Sequence, residues 1–121
     1  MNESIKRPVS SDDGQLSSVA VEVLLTLADG PSHGYAIKRA IESRIGDEFV
    51  LGSGSLYQAL HRLERRGYVA EQAAASESDD PRRGRTYRLE EAGHRALTRE
   101  LGRMRRVLAH ARRRQIALDS K

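Results

Sequence analysis

The segment from residue 52 to residue 69 carries the side chains whose types and spacing best suit chemistry. Its apolar residues recur at helical spacing, which predicts a helix with one face in a core. These apolar residues are Leu56, Ala59, Leu60 and Leu63. The remaining surface carries hydrogen-bonding or cationic groups, namely Tyr57, Gln58, His61, Arg62, Arg65 and Arg66. A helix that is apolar on one face and basic on the other suits the major groove of DNA.

Three of these side chains are candidates for contact with base edges. Tyr57, Gln58 and His61 can all donate or accept hydrogen bonds, and a glutamine can pair in bidentate fashion with adenine. The competing interpretation is a solvated helix face on which Tyr57 is half-buried.

The arginines of the same helix are expected to contact phosphate groups. Arg62 and Arg65 present planar cations that suit phosphate oxygens, although Arg62 could instead form an ion pair with Glu71 or another acid. Ser53 and Ser55, at the start of the helix, are assigned to the same DNA-facing set.

Other chemistries have little support in the sequence. The chain has no cysteine, which excludes disulfides, zinc ribbons and thiol nucleophiles. Its four histidines do not follow metal-ligand spacing, and the pair His61 and Glu64 is a weak hint by itself. Residues 52–54 are too short for a dinucleotide-binding loop and lack its preceding strand. We therefore expect no enzyme activity, no metal and no cofactor.

The composition favours one small basic domain. The chain has 121 residues and a net charge of +4, with an isoelectric point near 9.8, which favours nucleic acid or another anionic partner. No apolar run approaches the roughly 20 residues of a membrane span, and no signal peptide is recognised. Aromatic residues make up 4% of the chain, which disfavours the stacking platforms that bind single strands or RNA.

Two predicted helices precede the segment described first. Residues 1–14 are polar and aperiodic, so we expect a flexible tail. Residues 29–31 (Asp-Gly-Pro) end the first helix, Ser32 is the expected N-cap of the second, and Gly46 ends it. The apolar stripe of the first helix is Leu16, Val19, Ala20, Val23, Leu24 and Leu27.

The start of the second helix is a candidate phosphate site. Backbone amides at a helix N-terminus attract phosphate, and the side chains of Ser32, His33 and Tyr35 extend that region. His33 could equally be a packed structural residue beside Gly34.

The third helix has two candidate starts and a clear end. Ser55 and Gln58 have the spacing of a capping box, so the helix begins there or two residues earlier at Ser53. Gly67 is expected to end it.

A hairpin is predicted after the third helix. Residues 68–73 and 85–89 are expected strands, and the polar turn composition of residues 74–84 connects them. The expected DNA contacts near the tip are Arg82, Arg83 and Arg85. These side chains would follow the backbone or the adjacent minor groove, and the competing interpretation is a solvated loop.

The last predicted helix runs from about residue 90 to near the C-terminus and carries a heptad pattern. Its seam residues are Leu97, Leu101, Met104, Leu108, Ala111 and Leu118, with Gln115 in the remaining position. The seam could pack against the first helix, but it is too long for one small domain to cover. We expect its first part to pack on the domain and the rest to pair with a second subunit. An effector pocket would lie at this seam beside Leu16, Val19 or Met104.

The order of helix, helix, helix, hairpin and long helix is that of a winged helix with a C-terminal dimerisation arm. The predicted fold class is therefore mainly α with a small β-hairpin: a winged helix-turn-helix domain over residues 15–90 and a dimerisation helix over residues 91–121.

Three segments closely resemble the PadR family of bacterial transcriptional regulators. Residues 31–37, PSHGYAI, are similar to the family's Pro-x-His-Gly-Tyr-x-Ile. Residues 53–67, SGSLYQALHRLERRG, resemble its x-Gly-Thr/Ser-Leu-Tyr-Pro-Ala-Leu-x-Arg-Leu-Glu-x-x-Gly, and residues 85–93, RTYRLEEAG, resemble its Arg-x-Tyr-x-Leu-Thr-Glu-x-Gly. Gln58 replaces the usual proline and Glu90 the usual threonine, so base preference and a helix cap could differ.

The resemblance implies a cytoplasmic, nucleoid-associated bacterial homodimer that binds a palindromic operator in double-stranded DNA. It also implies a repressor that a small molecule releases from DNA, as is common for the family. The alternative function is a winged-helix module for protein–protein contact, with the basic helix facing an acidic partner and no direct DNA binding.

Overall fold

The computed structural model describes residues 15–46, 52–72 and 85–116. Within these residues there are four helices and three strands, in the order α1 (Ser18–Ala28), β1 (Ser32–His33), α2 (Gly34–Ile45), α3 (Ser53–Arg65), β2 (Val69–Gln72), β3 (Thr86–Leu89) and α4 (Glu91–Arg113). The expected tail of residues 1–14, the predicted hairpin tip and Leu118 lie outside the described residues. The mainly helical winged-helix fold class predicted from the sequence is confirmed.

Helix α1 forms the centre of the core because its apolar stripe meets every other helix. Val23 and Leu24 are fully buried, and Ile37 of α2 and Leu56 of α3 are buried in the same cluster. The helix begins as capping rules predict, since the Ser17 hydroxyl accepts a hydrogen bond from the Ala20 amide at 3.1 Å. This packing holds α3 with its apolar face inward.

The predicted N-cap at Ser32 is wrong. Ser32 and His33 form β1, which pairs antiparallel with Tyr87 and Thr86 of β3, and α2 begins at Gly34. The sheet therefore has three strands in the order β1-β3-β2, whereas the sequence predicted only the β2–β3 hairpin. A two-residue strand has no periodicity to reveal it, and the hydrogen bonds with β3 decide the backbone there instead of a helix cap.

Helix α3 begins at Ser53, the earlier of the two predicted starts, and Gly52 is its N-cap residue. Its end matches the prediction, because Gly67 adopts a φ of 79°. The amide of Tyr68 donates to the carbonyl of Leu63 at 2.9 Å, and the amide of Gly67 donates to the carbonyl of Glu64 at 3.0 Å. These two bonds form a Schellman motif, which turns the chain directly into β2.

Helix α4 starts against the sheet and then leaves the domain. The Glu90 amide donates to the carbonyl of Tyr68 at 2.9 Å, and Glu90 is the N-cap residue as expected, without a side-chain cap bond. Gly93 lies so close to Tyr68 that an added Cβ would collide with that carbonyl. Leu97 is buried, whereas the apolar side chains farther along the helix are exposed. None of the helices in the described ranges is long and apolar enough to cross a membrane.

Candidate nucleic-acid interface

The exposed face of α3 brings together most of the side chains predicted to contact DNA. Leu56, Leu60 and Leu63 are at most 2% exposed, which turns the opposite face of the helix outward. A shallow depression runs along that outer face. It is lined by Gly54, Tyr57, Gln58, His61, Arg62 and Arg65. The two-faced helix predicted from the sequence is therefore present, and its outer face is polar and basic.

Tyr57 lies at the edge of this face and also packs inward. Its side chain is 43% exposed, and its hydroxyl end lies against Gly34, the first residue of α2. The half-buried Tyr57 of the alternative interpretation is thus observed. The same side chain also lines the outer depression, so Tyr57 both packs against α2 and contributes to the outer face of α3.

The start of α2 separates into a packed residue and a projecting one. His33 is partly buried, and its Nδ1 lies 3.1 Å from Oγ1 of Thr86 in β3. The Gly34 amide donates to the carbonyl of Arg85 at 3.3 Å, so the first amide of this helix is already paired. Tyr35 projects outward with 57% of its side chain exposed. This geometry favours the structural interpretation of His33 and leaves Tyr35 as the outward group.

Arg39, one turn beyond Tyr35 on α2, is a further candidate that was not predicted from the sequence. Its Nη1 donates to the Tyr35 hydroxyl at 3.2 Å, and its guanidinium carbon lies 5.8 Å from the centre of the ring. The hydrogen bond that Arg39 donates to the Tyr35 hydroxyl is the main reason that the pKa of Arg39 is raised. The spacing of i and i+4 on one helix face is the signal that could have identified this pair.

We define the wing as β2, β3 and the segment that connects them. Of the three wing arginines predicted to contact DNA, one, Arg85, lies at the base of the wing. Arg85 Nε lies 3.3 Å from a carboxylate oxygen of Glu71, and its side chain is 65% exposed. Glu71 therefore has Arg85 as its ion-pair partner, where the sequence suggested Arg62. Arg82 and Arg83 lie outside the described residues.

Tyr87 anchors the wing to the core beneath these charges. Its side chain is 4% exposed. Burial raises the pKa of its hydroxyl, and the nearby Glu64 carboxylate raises it further, while Arg85 opposes both effects.

Arg66 lies apart from the other polar residues of the third helix. Its guanidinium stacks over the Tyr68 ring, 4.7 Å from the ring centre. Both residues line a groove beside α4 that also contains Leu16, Arg99 and Arg103. The C-terminal end of α3 turns toward this groove, which removes Arg66 from the face that carries Gln58.

The predicted seam on α4 divides where the helix leaves the domain. Leu97 is 4% exposed, whereas Leu101, Met104 and Leu108 are 37–40% exposed. Val107, which the heptad positions did not include, is 55% exposed beside them. The outer part of α4 thus presents an apolar face wider than the predicted seam, and Ala111 continues it with intermediate exposure.

The apolar side chains of the inner part of the predicted effector region pack on the domain. Leu16 is buried and Val19 is packed against the core. The carboxylate of Glu100 is also buried, and Arg103 donates to it at 2.7 Å and 3.0 Å. Within the described ranges, no group of three or more metal-ligating side chains is present.

Comparison with known proteins gives a family match over most of the domain. Residues 23–99 match the sequence profile of the transcriptional regulator PadR-like family. An uncharacterized 37.1 kDa protein in transposon TN4556 of Streptomyces fradiae is 45% identical over 85 residues, which are 70% of this chain. This chain matches only 22% of the length of that relative.

Solved structures share the fold at low sequence identity. A transcriptional regulator from Clostridium thermocellum is 22% identical with a TM-score of 0.68, and the match covers 93% of this chain and 96% of the other. The Bacillus subtilis PadR protein, solved in complex with operator DNA, is 18% identical with a TM-score of 0.58. That match covers 70% of this chain and 47% of PadR.

Proposed function

This chain belongs to the PadR-like family of transcriptional regulators, and from that premise we propose that it binds double-stranded DNA in a sequence-specific manner as a homodimer. Members of this family are regulators of transcription and not enzymes. The likeness to a PadR protein solved with operator DNA supports a DNA partner. Acting on DNA would place the protein at the bacterial nucleoid in the cytoplasm.

The outward polar face of α3 is the observation that carries this proposal. Gln58 and His61 are exposed one turn apart, and Tyr57 borders them, so three hydrogen-bonding groups line the depression on α3. Their proposed role is contact with base edges, where a well-formed bidentate pair discriminates by about 1–3 kcal/mol. Arg62 and Arg65 extend the same face toward phosphates.

The beginning of α2 is proposed as a second phosphate contact. Tyr35 projects from its first turn and holds Arg39 by a hydrogen bond, so a hydroxyl and a guanidinium reach outward together. Ser32 and His33 belong to the sheet, and their proposed contribution is to hold this turn in place. Ser53 and Ser55, in the first turn of α3, are proposed to add contacts to the DNA backbone.

The wing is proposed to contact the neighbouring backbone or minor groove. Arg85 is exposed at its base and balanced by Glu71, so its net attraction for phosphate is smaller than that of an unpaired arginine. The proposed contribution of Arg82 and Arg83 rests on their charge and their position in the sequence between β2 and β3.

The exposed apolar face of α4 supports the proposed dimer. Leu101, Met104, Val107 and Leu108 together leave a continuous apolar surface in water, and a second copy would cover it. We propose residues 15–90 as the DNA-binding domain and residues 91–121 as the dimerisation helix. Two copies related by a twofold axis would read a palindrome with half-sites about 34–36 Å apart.

We further propose that the protein is a repressor released by a small-molecule effector. The groove beside α4, which contains Leu16, Arg66 and Tyr68, adjoins the proposed dimer face and is a candidate location for that molecule. A protein–protein module without DNA binding remains the alternative function, and the same experiment separates the two.

The test is enrichment of duplexes from a random pool, followed by binding measured over a range of salt concentrations. A DNA-binding dimer enriches a palindrome, and log K falls with log salt at a slope of about −0.9 per phosphate neutralised. Gln58→Ala should relax base preference at one position per half-site, whereas Arg65→Ala should weaken binding to all sequences alike. Absent or salt-independent binding would contradict the proposal and favour the protein–protein module.

A further inference from the structure

We propose that Gly34 is a positioning residue that sets the place of Tyr57 at the DNA-facing edge of α3. This inference rests on the proposed DNA-binding function. It assigns a task to a glycine that touches no DNA itself, and it connects α3, the start of α2 and the wing at one point.

The contact between Gly34 and Tyr57 leaves no room for a side chain. A Cβ at Gly34 would lie 2.5 Å from the Tyr57 hydroxyl oxygen and 2.9 Å from both Cε1 and Cζ of the ring. Real Cβ atoms essentially never approach other heavy atoms closer than 3.0 Å, so an alanine at this position requires a movement. Its backbone does not require glycine, because positive φ among the described glycines occurs elsewhere.

The backbone of Gly34 is held by more contacts than the ring of Tyr57. Its amide donates to the Arg85 carbonyl at 3.3 Å, and the preceding residue, His33, pairs with Thr86 through backbone register and through the 3.1 Å side-chain contact. The backbone at this point is therefore held by β3. Tyr57 is 43% exposed, so its ring is not enclosed by the core.

An added methyl group would consequently displace the Tyr57 ring outward. Tyr57 lines the same outer depression as Gln58 and His61, so an outward movement of its ring changes the shape of that depression. A ring moved in that direction would occupy the space proposed for a base edge. Loss of DNA affinity should then arise from the position of Tyr57.

A double-mutant cycle tests this coupling with Gly34→Ala, Tyr57→Leu and the combined variant. The DNA is the duplex enriched by the wild-type protein. Gly34→Ala should weaken binding by at least about tenfold, a coupling that residues in contact commonly reach. In the Tyr57→Leu background the same substitution should change affinity less than about twofold. Gly102→Ala is the control, since its Cβ would meet only Arg106 at an ordinary 3.8 Å.

The same cycle is measured without DNA by the midpoint of denaturant unfolding. Gly34→Ala should lower the midpoint in the Tyr57 protein, whereas in the Leu variant it should leave the midpoint unchanged or raise it, as at an unobstructed glycine. Equal shifts in both backgrounds would overturn the inference. If the wild-type protein binds no duplex, the proposed function fails, and the DNA-free cycle still decides whether Gly34 positions Tyr57.

Discussion

Substitution of Leu108 by aspartate should convert the proposed dimer into a monomer. Leu108 lies on the outer part of α4, beyond the point where Leu97 is buried in the domain, and it is 40% exposed in a single chain. His110 lies two residues farther along and is also exposed. The control variant is His110→Asp. Because two residues correspond to about 200° of rotation on an α-helix, the side chain at position 110 points nearly opposite to that of Leu108.

The expected loss follows from the exposed fraction and the symmetry. Fully burying a leucine side chain contributes about 1.5–3 kcal/mol, so covering the exposed 40% of Leu108 contributes about 1 kcal/mol in each subunit. A twofold dimer contains the residue twice, which gives about 2 kcal/mol. The aspartate adds the cost of moving two carboxylates out of water, so the total exceeds about 4 kcal/mol, or about 1,000-fold in the dimer dissociation constant.

The assay is sedimentation equilibrium at matched protein concentrations for the wild type, Leu108→Asp and His110→Asp. The wild type and His110→Asp should show twice the chain mass of 13.5 kDa, and Leu108→Asp should show the single-chain mass. Both variants place a negative charge near the C-terminal end of α4, which is unfavourable for the helix dipole in either case. The comparison therefore isolates the effect of burying a charge at position 108.

Two results would refute this reasoning. If Leu108→Asp keeps the dimer mass with an unchanged circular dichroism spectrum, then the outer face of α4 is not the subunit interface. If His110→Asp dissociates to the same extent, then charge near the helix end is responsible and the apolar face is not.

Three further predictions concern the wing, helix packing and pH. Combined Arg82→Ala and Arg83→Ala should weaken binding to all DNA sequences alike and flatten the salt slope by about 1–2 units; relaxed base preference at a constant slope would instead indicate that the wing reads bases. Gly93→Ala should lower the free energy of unfolding by about 1–3 kcal/mol, because its Cβ would collide with the Tyr68 carbonyl. The control, Gly102→Ala, should raise it by about 0.4–1 kcal/mol, and equal effects at the two glycines would contradict the packing argument. Burial raises the pKa of Tyr87 in the folded protein, so the unfolded chain loses this proton first, and stability should fall as pH rises above about 10. Tyr87→Phe should show a shallower fall in denaturant midpoint over that range, and an identical fall would exclude Tyr87 as a cause.

Local patterns in the sequence were sufficient to predict that the helices form and which face of α3 is buried. The stripe of Leu56, Leu60 and Leu63 specifies which face is buried, since helical geometry relates these positions without reference to the rest of the chain. The end of α3 at Gly67 was likewise predictable, because a left-handed residue is needed there and glycine adopts it without steric cost. The α4 heptad correctly indicated an apolar surface larger than one domain covers.

Contacts between residues distant in the sequence decided the remaining features. Strand β1 exists because Ser32 and His33 meet β3, and two residues carry no periodic signal of their own. Arg85 lies beside Glu71 because β2 pairs with β3, and this pairing brings together residues that are distant in the sequence. Val107 was not predicted as part of the apolar face because it flanks the heptad seam. Its exposure depends on how the first turns of α4 pack on the domain.

The sequence by itself determined that one basic helix faces outward from a small helical core, because amphipathic periodicity is a property of neighbouring residues. Only the tertiary structure decided how that helix is held at its edge. Gly34 and Tyr57 belong to different helices, and the wing residue Arg85 binds the backbone of Gly34 from a third element. Such a close approach depends on the packing of all three elements, which no local pattern records.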